Sequence, residues 1–255
     1  MSRFAAALVA VLALACAAER PTALGNSTAP APEAATPESD ARAEAKPVLV
    51  IETDGFLAPN ATDVDGTPAY VHYPRERMPI RVSVELPRLA ALNASREKTD
   101  AAVIDGIRLW ETAIQRALPW IALEIVRDDP RADIQVDWKT RVVGSASGYG
   151  GIGWRVKDGT LHVTSSFEYA TKPCNHPVCQ LELDQLRFLV AHEFGHTLGL
   201  LHCLDCDSAM NYSWETIERT RVTEIDVRTI KALYEIPNGT RVDGTLMIPL
   251  RKAAQ

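Results

Sequence analysis

The chain has 255 residues, 46% of them hydrophobic, and a formal net charge of −6. That charge, with no basic stripe along the chain, excludes a protein built to grip nucleic acid. Setting aside the two ends described below leaves roughly 200 residues, the size of one compact domain with its own core.

Met1-Ser2-Arg3-Phe4 supplies one positive charge, and Ala5 to Ala15 is an unbroken apolar run. The run is too short to span a bilayer and suits the core of a signal peptide. It ends in Ala13-Leu14-Ala15-Cys16, which resembles a bacterial lipobox, with a small residue before a cysteine that would be lipidated after cleavage. Ala13-x-Ala15 also fits an ordinary secretory cleavage site. Residues 1–16 are therefore read as a signal peptide with Cys16 as the candidate lipidation site. The chain is expected to be exported, as a bacterial membrane-anchored lipoprotein at the cell surface or in the periplasm, or as a secreted protein. Residues 17–47 are rich in Ala and Pro and hold no aromatic residue. Such a segment cannot bury enough apolar surface to fold, so it reads as a disordered linker. The folded domain is expected over residues 48–240, with a C-terminal tail over 241–255.

Val48 to Ile51 is a candidate strand, and the Asp-Gly and Pro signals between Glu52 and Pro79 predict loops. Ile80 to Leu86 alternates apolar and polar residues and predicts a half-buried strand. Arg96 to Leu118 carries Val103, Ile107, Trp110, Ile114 and Leu118 on one stripe and predicts a long helix ended by Pro119. Ile121 to Val126 and Ile134 to Trp138 predict further strands. The glycines and serines of Gly144 to Gly153 predict a loop. Gly153 to Val156 and Thr160 to Thr164 then predict a hairpin about Lys157-Asp158-Gly159. Leu183 to Leu198 predicts a helix. Thr223-Glu224-Ile225-Asp226 resembles a capping box with Asp in place of Glu, opening a last helix that runs to Glu235 ahead of Pro237-Asn238-Gly239. This order predicts an α+β domain: a twisted mixed sheet of about five strands, a long backing helix, an active-site helix and a C-terminal helix.

Five cysteines occur. With Cys16 set aside, Cys174, Cys179, Cys203 and Cys206 remain. In an exported protein an even set reads as disulfides, and the short spacings favour Cys174–Cys179 and Cys203–Cys206. The rival arrangement gathers all four thiolates round a second, structural zinc.

Three of the six histidines stand within His192-Glu193-Phe194-Gly195-His196-Thr197-Leu198-Gly199-Leu200-Leu201-His202. Positions four apart on a helix share a face, so His192 and His196 can address one metal ion. Glu193, one residue along, can reach a water on that ion. Gly199 can adopt the positive φ that ends a helix and turns the chain back, which would bring His202 round as a third ligand. Three neutral imidazoles with one open position make the pattern of a catalytic rather than a structural zinc.

The chain resembles the metzincin metallopeptidases, whose signature is this long histidine motif followed by a methionine turn. Ser208-Ala209-Met210-Asn211-Tyr212 fits that turn, with Met210 as its methionine. The short gap from His202 to Met210, Asp205 and the final helix resemble the matrixin branch. Cys203 directly after His202, together with Met210-Asn211-Tyr212-Ser213, is similar to archaemetzincins. Tyr212 stands where a tyrosine of astacins and serralysins binds the metal or steadies the oxyanion; a place in the core or pocket wall is its alternative. The resemblance implies one catalytic zinc held by His192, His196 and His202, Glu193 as general base, and Met210 in a packed floor. It also implies that substrate adds as a strand along an edge near Gly151 to Val156, where glycines would let its backbone come close. The loops that hold structural zinc and calcium in animal matrixins are not evident around residues 139–165, so calcium has no support here.

The function implied is that of a zinc-dependent endopeptidase. Its partners would be protein or peptide substrates, with no nucleic acid, membrane contact only through an N-terminal lipid, and a monomeric state. Two other functions fit the same scaffold: a non-catalytic surface-binding or adhesion lipoprotein, and a zinc hydrolase acting on cell-wall peptides. The intact Glu193 speaks against the first, and the lack of any glycan-binding module against the second. If Cys16 carries a lipid, Cys16→Ser will move the protein from the membrane to the soluble fraction on cell fractionation; an unchanged membrane fraction removes the lipoprotein reading.

Overall fold

The computed structural model describes residues 61–64, 67–142, 147–157, 160–172, 180–203, 206–211 and 221–241. The expected signal peptide with Cys16, the linker, the strand at Val48 to Ile51, Cys174, Cys179 and Tyr212 lie outside the described residues.

The elements run β1 (Ala61–Val64), β2 (Thr67–Tyr70), β3 (Ile80–Val84), α1 (Arg96–Ile114), β4 (Leu123–Val126), β5 (Ile134–Trp138), β6 (Gly148–Lys157), β7 (Thr160–Tyr169), α2 (Leu183–Thr197), α3 (Glu224–Glu235) and β8 (Thr240–Arg241). The main sheet has five strands in the order β4-β3-β5-β7-β6. Its first four strands are mutually parallel, and β6 runs antiparallel to β7 at the end of the sheet. Helices cover this mixed sheet, so the domain is α+β as expected. No helix among the described residues is long and apolar enough to cross a membrane.

The sheet turns Ile80, Val82 and Val84 of β3, Ile134 and Val136 of β5, and Val163 and Phe167 of β7 into a single core. α1 and α2 share that core and lie against each other. Glycine at 106 makes the approach close: a β-carbon there would stand 2.7 Å from the Arg187 carbonyl oxygen and 2.9 Å from Val190. One turn further along α1, the fully buried Trp110 donates its indole N–H to the Ala191 carbonyl at 2.6 Å. The large apolar body of Trp110 thus backs α2 while its one polar atom is satisfied. A helix carrying function is in this way held by a rigid neighbour.

Caps set the helix starts. The Ser95 side chain accepts the Lys98 N–H ahead of α1, and Glu182 forms a capping box with Gln185 ahead of α2. Thr223 and Asp226 form the capping box expected for α3. α1 is shorter than expected. It stops at Ile114, and the Ala117 and Leu118 amides both turn back onto the Ile114 carbonyl. Pro119 bars any continuation, since the residue before a proline is disfavoured in the helical region.

Two other differences concern strands. The expected loop between Glu52 and Pro79 contains β1 and β2, which pair from Val64↔Thr67 to Ala61↔Tyr70. Asp65-Gly66, counted as a loop signal, is equally the strongest two-residue signal for a hairpin. β2 also pairs with β8, so the chain beyond α3 returns to the start of the domain. The expected loop at Gly144 to Gly153 gives way to β6 from Gly148, and the hairpin with β7 runs ten paired residues from Gly148↔Tyr169 to Lys157↔Thr160. Glycine lowers strand propensity without forbidding a strand, and the pairing with β7 overrides it.

His72 ties the β2 end to the α3 exit. Its backbone N–H donates to Asn238 Oδ1 at 3.0 Å, and its ring nitrogens lie 3.1 Å from the Tyr73 carbonyl and 2.7 Å from the Ile236 carbonyl. The ring packs on Tyr234 with centroids 4.7 Å apart. Buried and bonded in this way, His72 is structural. Burial holds its pKa below the ordinary 6.5, against the opposing pull of the two carbonyls. A lowered folded value means that the neutral ring is the stabilising form. Its contribution is fully present above 6.5 and is lost as pH falls through the lowered folded value. Thermal unfolding followed from neutral to acid pH, at one fixed metal content, will therefore show a shallower loss of Tm for His72→Gln than for the natural chain. Parallel curves would place the acid sensitivity elsewhere.

Candidate metal centre and active site

α2 carries His192 and His196 on one face. It ends at Gly199, whose φ of +100° sends the chain back, as the glycine was expected to do. The positive φ demands glycine, and a β-carbon here would also meet a Leu233 methyl of α3 at 2.8 Å. The reversal places His202 opposite the helix. The three side chains form the one group of potential metal ligands found among the described residues. Their Nε2 atoms lie 3.3 Å apart (His192 to His196), 3.2 Å (His196 to His202) and 3.0 Å (His202 to His192).

The donor set fits a tetrahedral zinc ion. Zn–N bonds of about 2.0–2.1 Å at tetrahedral angles put ligand nitrogens roughly 3.3 Å apart. The other ring nitrogens settle the tautomers. His192 Nδ1 donates to the Ala209 carbonyl and His196 Nδ1 to the Leu200 carbonyl, each at 2.8 Å. With the proton on Nδ1, the Nε2 lone pairs of His192 and His196 are free to address one cation, and His202 Nε2 lies 3.0–3.2 Å from both. Burial keeps the rings neutral. The His192 pKa lies well below the ordinary value, through burial and then the neighbouring His196 and His202. That of His196 falls to about 4, chiefly by burial, and burial lowers that of His202 as well. Neutral imidazole is the form that binds a metal.

Below this cluster lies the turn at Met210. Met210 is fully buried, and a β-carbon on Gly195 would run into its sulfur and come within 2.7 Å of the Trp110 ring. Gly195, between the two helical histidines, is therefore where the floor touches α2. The Cys203 N–H donates to the Met210 carbonyl at 2.7 Å, and Cys203 bridges to Asn211 in parallel. The expected disulfide Cys203–Cys206 is present. It closes the segment between His202 and the turn, so the third histidine and the floor share one local framework.

α3 holds this floor through an interaction that the sequence only half disclosed. Asp226, expected as a capping residue, accepts the Thr223 N–H at 2.6 Å and also the Ser208 hydroxyl at 2.5 Å. Ser208 in turn accepts the Met210 N–H at 2.8 Å. Asp226 is fully buried, and burial raises its pKa against these hydrogen bonds. The Ser208 contact joins residues 18 apart in sequence, so no local pattern announces it.

Glu193 faces away from the floor, toward β6. It is 6% exposed. Burial pushes its pKa up to about 8, opposed by a hydrogen bond from the Gly150 backbone. Two glycines of β6 make room for it. A β-carbon at Gly148 would stand 2.7 Å from both Cγ and Oε1 of Glu193, and one at Gly150 would stand 3.1 Å from Oε2 and 2.7 Å from Phe167 Cβ. Of the glycines between Gly151 and Val156, expected to admit a substrate backbone, Gly151 has open space on its β-carbon side and Gly153 lies against the Thr164 carbonyl; Gly148 and Gly150, before that stretch, admit Glu193.

Comparison with known proteins agrees with this geometry. Residues 88–235 match the model of the matrixin family of M10 peptidases. Human matrix metalloproteinase-15 is 28% identical over 151 residues, which is 54% of this chain and 22% of that protein. The chain thus spans about a fifth of the length of that relative. A crystal structure of archaemetzincin from Methanopyrus kandleri superposes with a TM-score of 0.40 at 14% identity, covering 64% of this chain and 99% of the other. The family match extends over more than half of the chain, which therefore belongs to the matrixin family, within the metzincin clan of metallopeptidases.

Proposed function

We propose that the protein is a zinc-dependent endopeptidase, with His192, His196 and His202 as metal ligands and Glu193 as general base. The observation that supports this most is the convergence of three Nε2 atoms to within 3.0–3.3 Å of one another, with Glu193 on the same helix. Bound zinc supplies Lewis-acid polarisation of the peptide carbonyl and of the attacking water. The Nδ1 bonds to Ala209 and Leu200 orient the first two ligands, and the packed floor at Met210 fixes their helix from below. Glu193 takes the proton of the attacking water and passes it to the leaving amine. A carboxylate whose proton affinity is raised by burial suits both halves of that transfer near neutral pH.

Substrate binds in extended form along β6, which ends the main sheet and has no strand on its outer side among the described residues. Main-chain hydrogen bonds to that edge position a peptide without regard to its side chains, which suits an endopeptidase. Tyr212 is proposed to steady the oxyanion. Export, with lipidation at Cys16, remains part of the proposal, and the natural substrates are then extracellular or periplasmic proteins.

Glu193→Ala will retain stoichiometric zinc by elemental analysis and lose about 10²–10⁴-fold in the rate of casein cleavage, the usual contribution of a general base. Cleavage by this variant at the native rate would sink the mechanism, and retention of full activity by the metal-stripped natural chain would sink the zinc reading.

A further inference from the structure

Glycine at 148 is not there for its backbone. Gly148 opens a regular antiparallel strand, pairs with Tyr169, and has no left-handed φ. Any residue adopts that conformation, and alanine would hold the strand better than glycine does. The reason for glycine lies in what its missing side chain would touch. A β-carbon would stand 2.7 Å from Glu193 Cγ, 2.7 Å from Glu193 Oε1 and 2.8 Å from Leu189 Cδ1. Two residues along, on the same face of the strand, Gly150 donates its backbone N–H to the same carboxylate. β6 thus offers Glu193 a space on one side and a donor on the other, and closes over it to leave the residue 6% exposed.

We propose that Gly148 is a positioning residue for Glu193: the absence of a side chain on β6 at this point sets where the carboxylate rests on the strand that receives substrate. The proposal rests on the reading of Glu193 as general base. The chemistry of the contact tells what a substitution does. The three atoms a methyl group would meet all belong to side chains and none to backbone: the leucine methyl and Glu193 Oε1 are free ends, and Glu193 Cγ moves with its carboxylate when the side chain rotates. The fold can therefore accept alanine by moving Glu193, whereas proton transfer cannot accept a moved base. A misplacement on the order of 1 Å at a catalytic group costs about 10²-fold in rate.

Two measurements test this in the full chain. In the first, Gly148→Ala lowers kcat by about 10²-fold with KM changed less than about twofold and zinc content unchanged. In the second, Tm is measured for Gly148→Ala in the natural chain and in the Glu193→Ala variant, with metal removed from all four proteins. Crowding against the Glu193 side chain makes the loss of Tm smaller in the Glu193→Ala background, by about 2–4 °C. A Gly148→Ala chain that folds only when Glu193 is also truncated gives the same support. An equal loss of Tm in both backgrounds, failure to fold in both, or an unchanged kcat overturns the proposal. Cleavage by Glu193→Ala alone at the native rate strikes the general-base reading instead, and leaves the crowding measured by Tm intact.

Discussion

Three imidazole nitrogens held within 3.3 Å of one another form the constraint on which the rest of the structure turns. Left alone, the converging Nε2 lone pairs of His192 and His196 repel. The chain nonetheless fixes two of the rings from behind, through Nδ1 bonds to the Ala209 and Leu200 carbonyls. Those carbonyls belong to the turn before Met210 and to the reversal after α2, so the tautomer of each ring is set by backbone that the fold holds rigid. The energy that keeps the rings together comes from elsewhere. It comes from Trp110 and Gly106 pressing α1 onto α2, and from Met210 filling the space under Gly195. A hydrophobic core is in effect holding a cation site in its binding geometry, the pre-organisation that a metal site on rigid elements requires.

The floor has a polar anchor of its own. Asp226 ties the loop carrying Met210 to α3 by accepting from Thr223 at the start of that helix and from Ser208 in the loop. A fully buried carboxylate is tolerable because several donors surround it. The same residue caps a helix and pins the loop, so α3 is coupled to the floor of the metal centre. The Cys203–Cys206 bridge and the Cys203 N–H bond to Met210 close the remaining side.

How far the sequence disclosed all this depends on the range of each interaction. The helix with its two histidines, the reversal at Gly199 and the third histidine lie within eleven residues, and local spacing suffices to read them. Ile134 to Trp138 and the start of α3 were legible for the same reason, through alternation and a capping pair. β6 was not. Gly148-Tyr149-Gly150-Gly151 has the composition of a loop, and its strand is imposed by a partner, β7, that runs ten residues in register with it. The hairpin of β1 and β2 was hidden by a signal with two meanings, Asp-Gly. The tie between Ser208 and Asp226, and the approach of Gly148 to Glu193 across 45 positions of sequence, are products of tertiary folding and leave no periodic trace. What could have pointed to them is the cost of the residues themselves. A strand bearing glycines, and an aspartate at a helix start that faces the core, each give up stability that a neutral choice would keep.

Those costs fall in one place. Glu193 is buried against its preference for the ionised form, with its pKa raised to about 8. Gly148, Gly150 and Gly195 all weaken the elements in which they sit. The histidines crowd three ring nitrogens within 3.3 Å of one another. In a sequence selected for stability alone, an apolar side chain would stand at Glu193. The concentration of these costs between α2 and β6, over a buried floor and backing helix, is the pattern expected where local stability is given up for chemistry. The fold tolerates it because each weak choice is enclosed by a strong one: Gly195 by Met210 and Trp110, Glu193 by the long β6–β7 pairing, and the histidines by the carbonyls behind them.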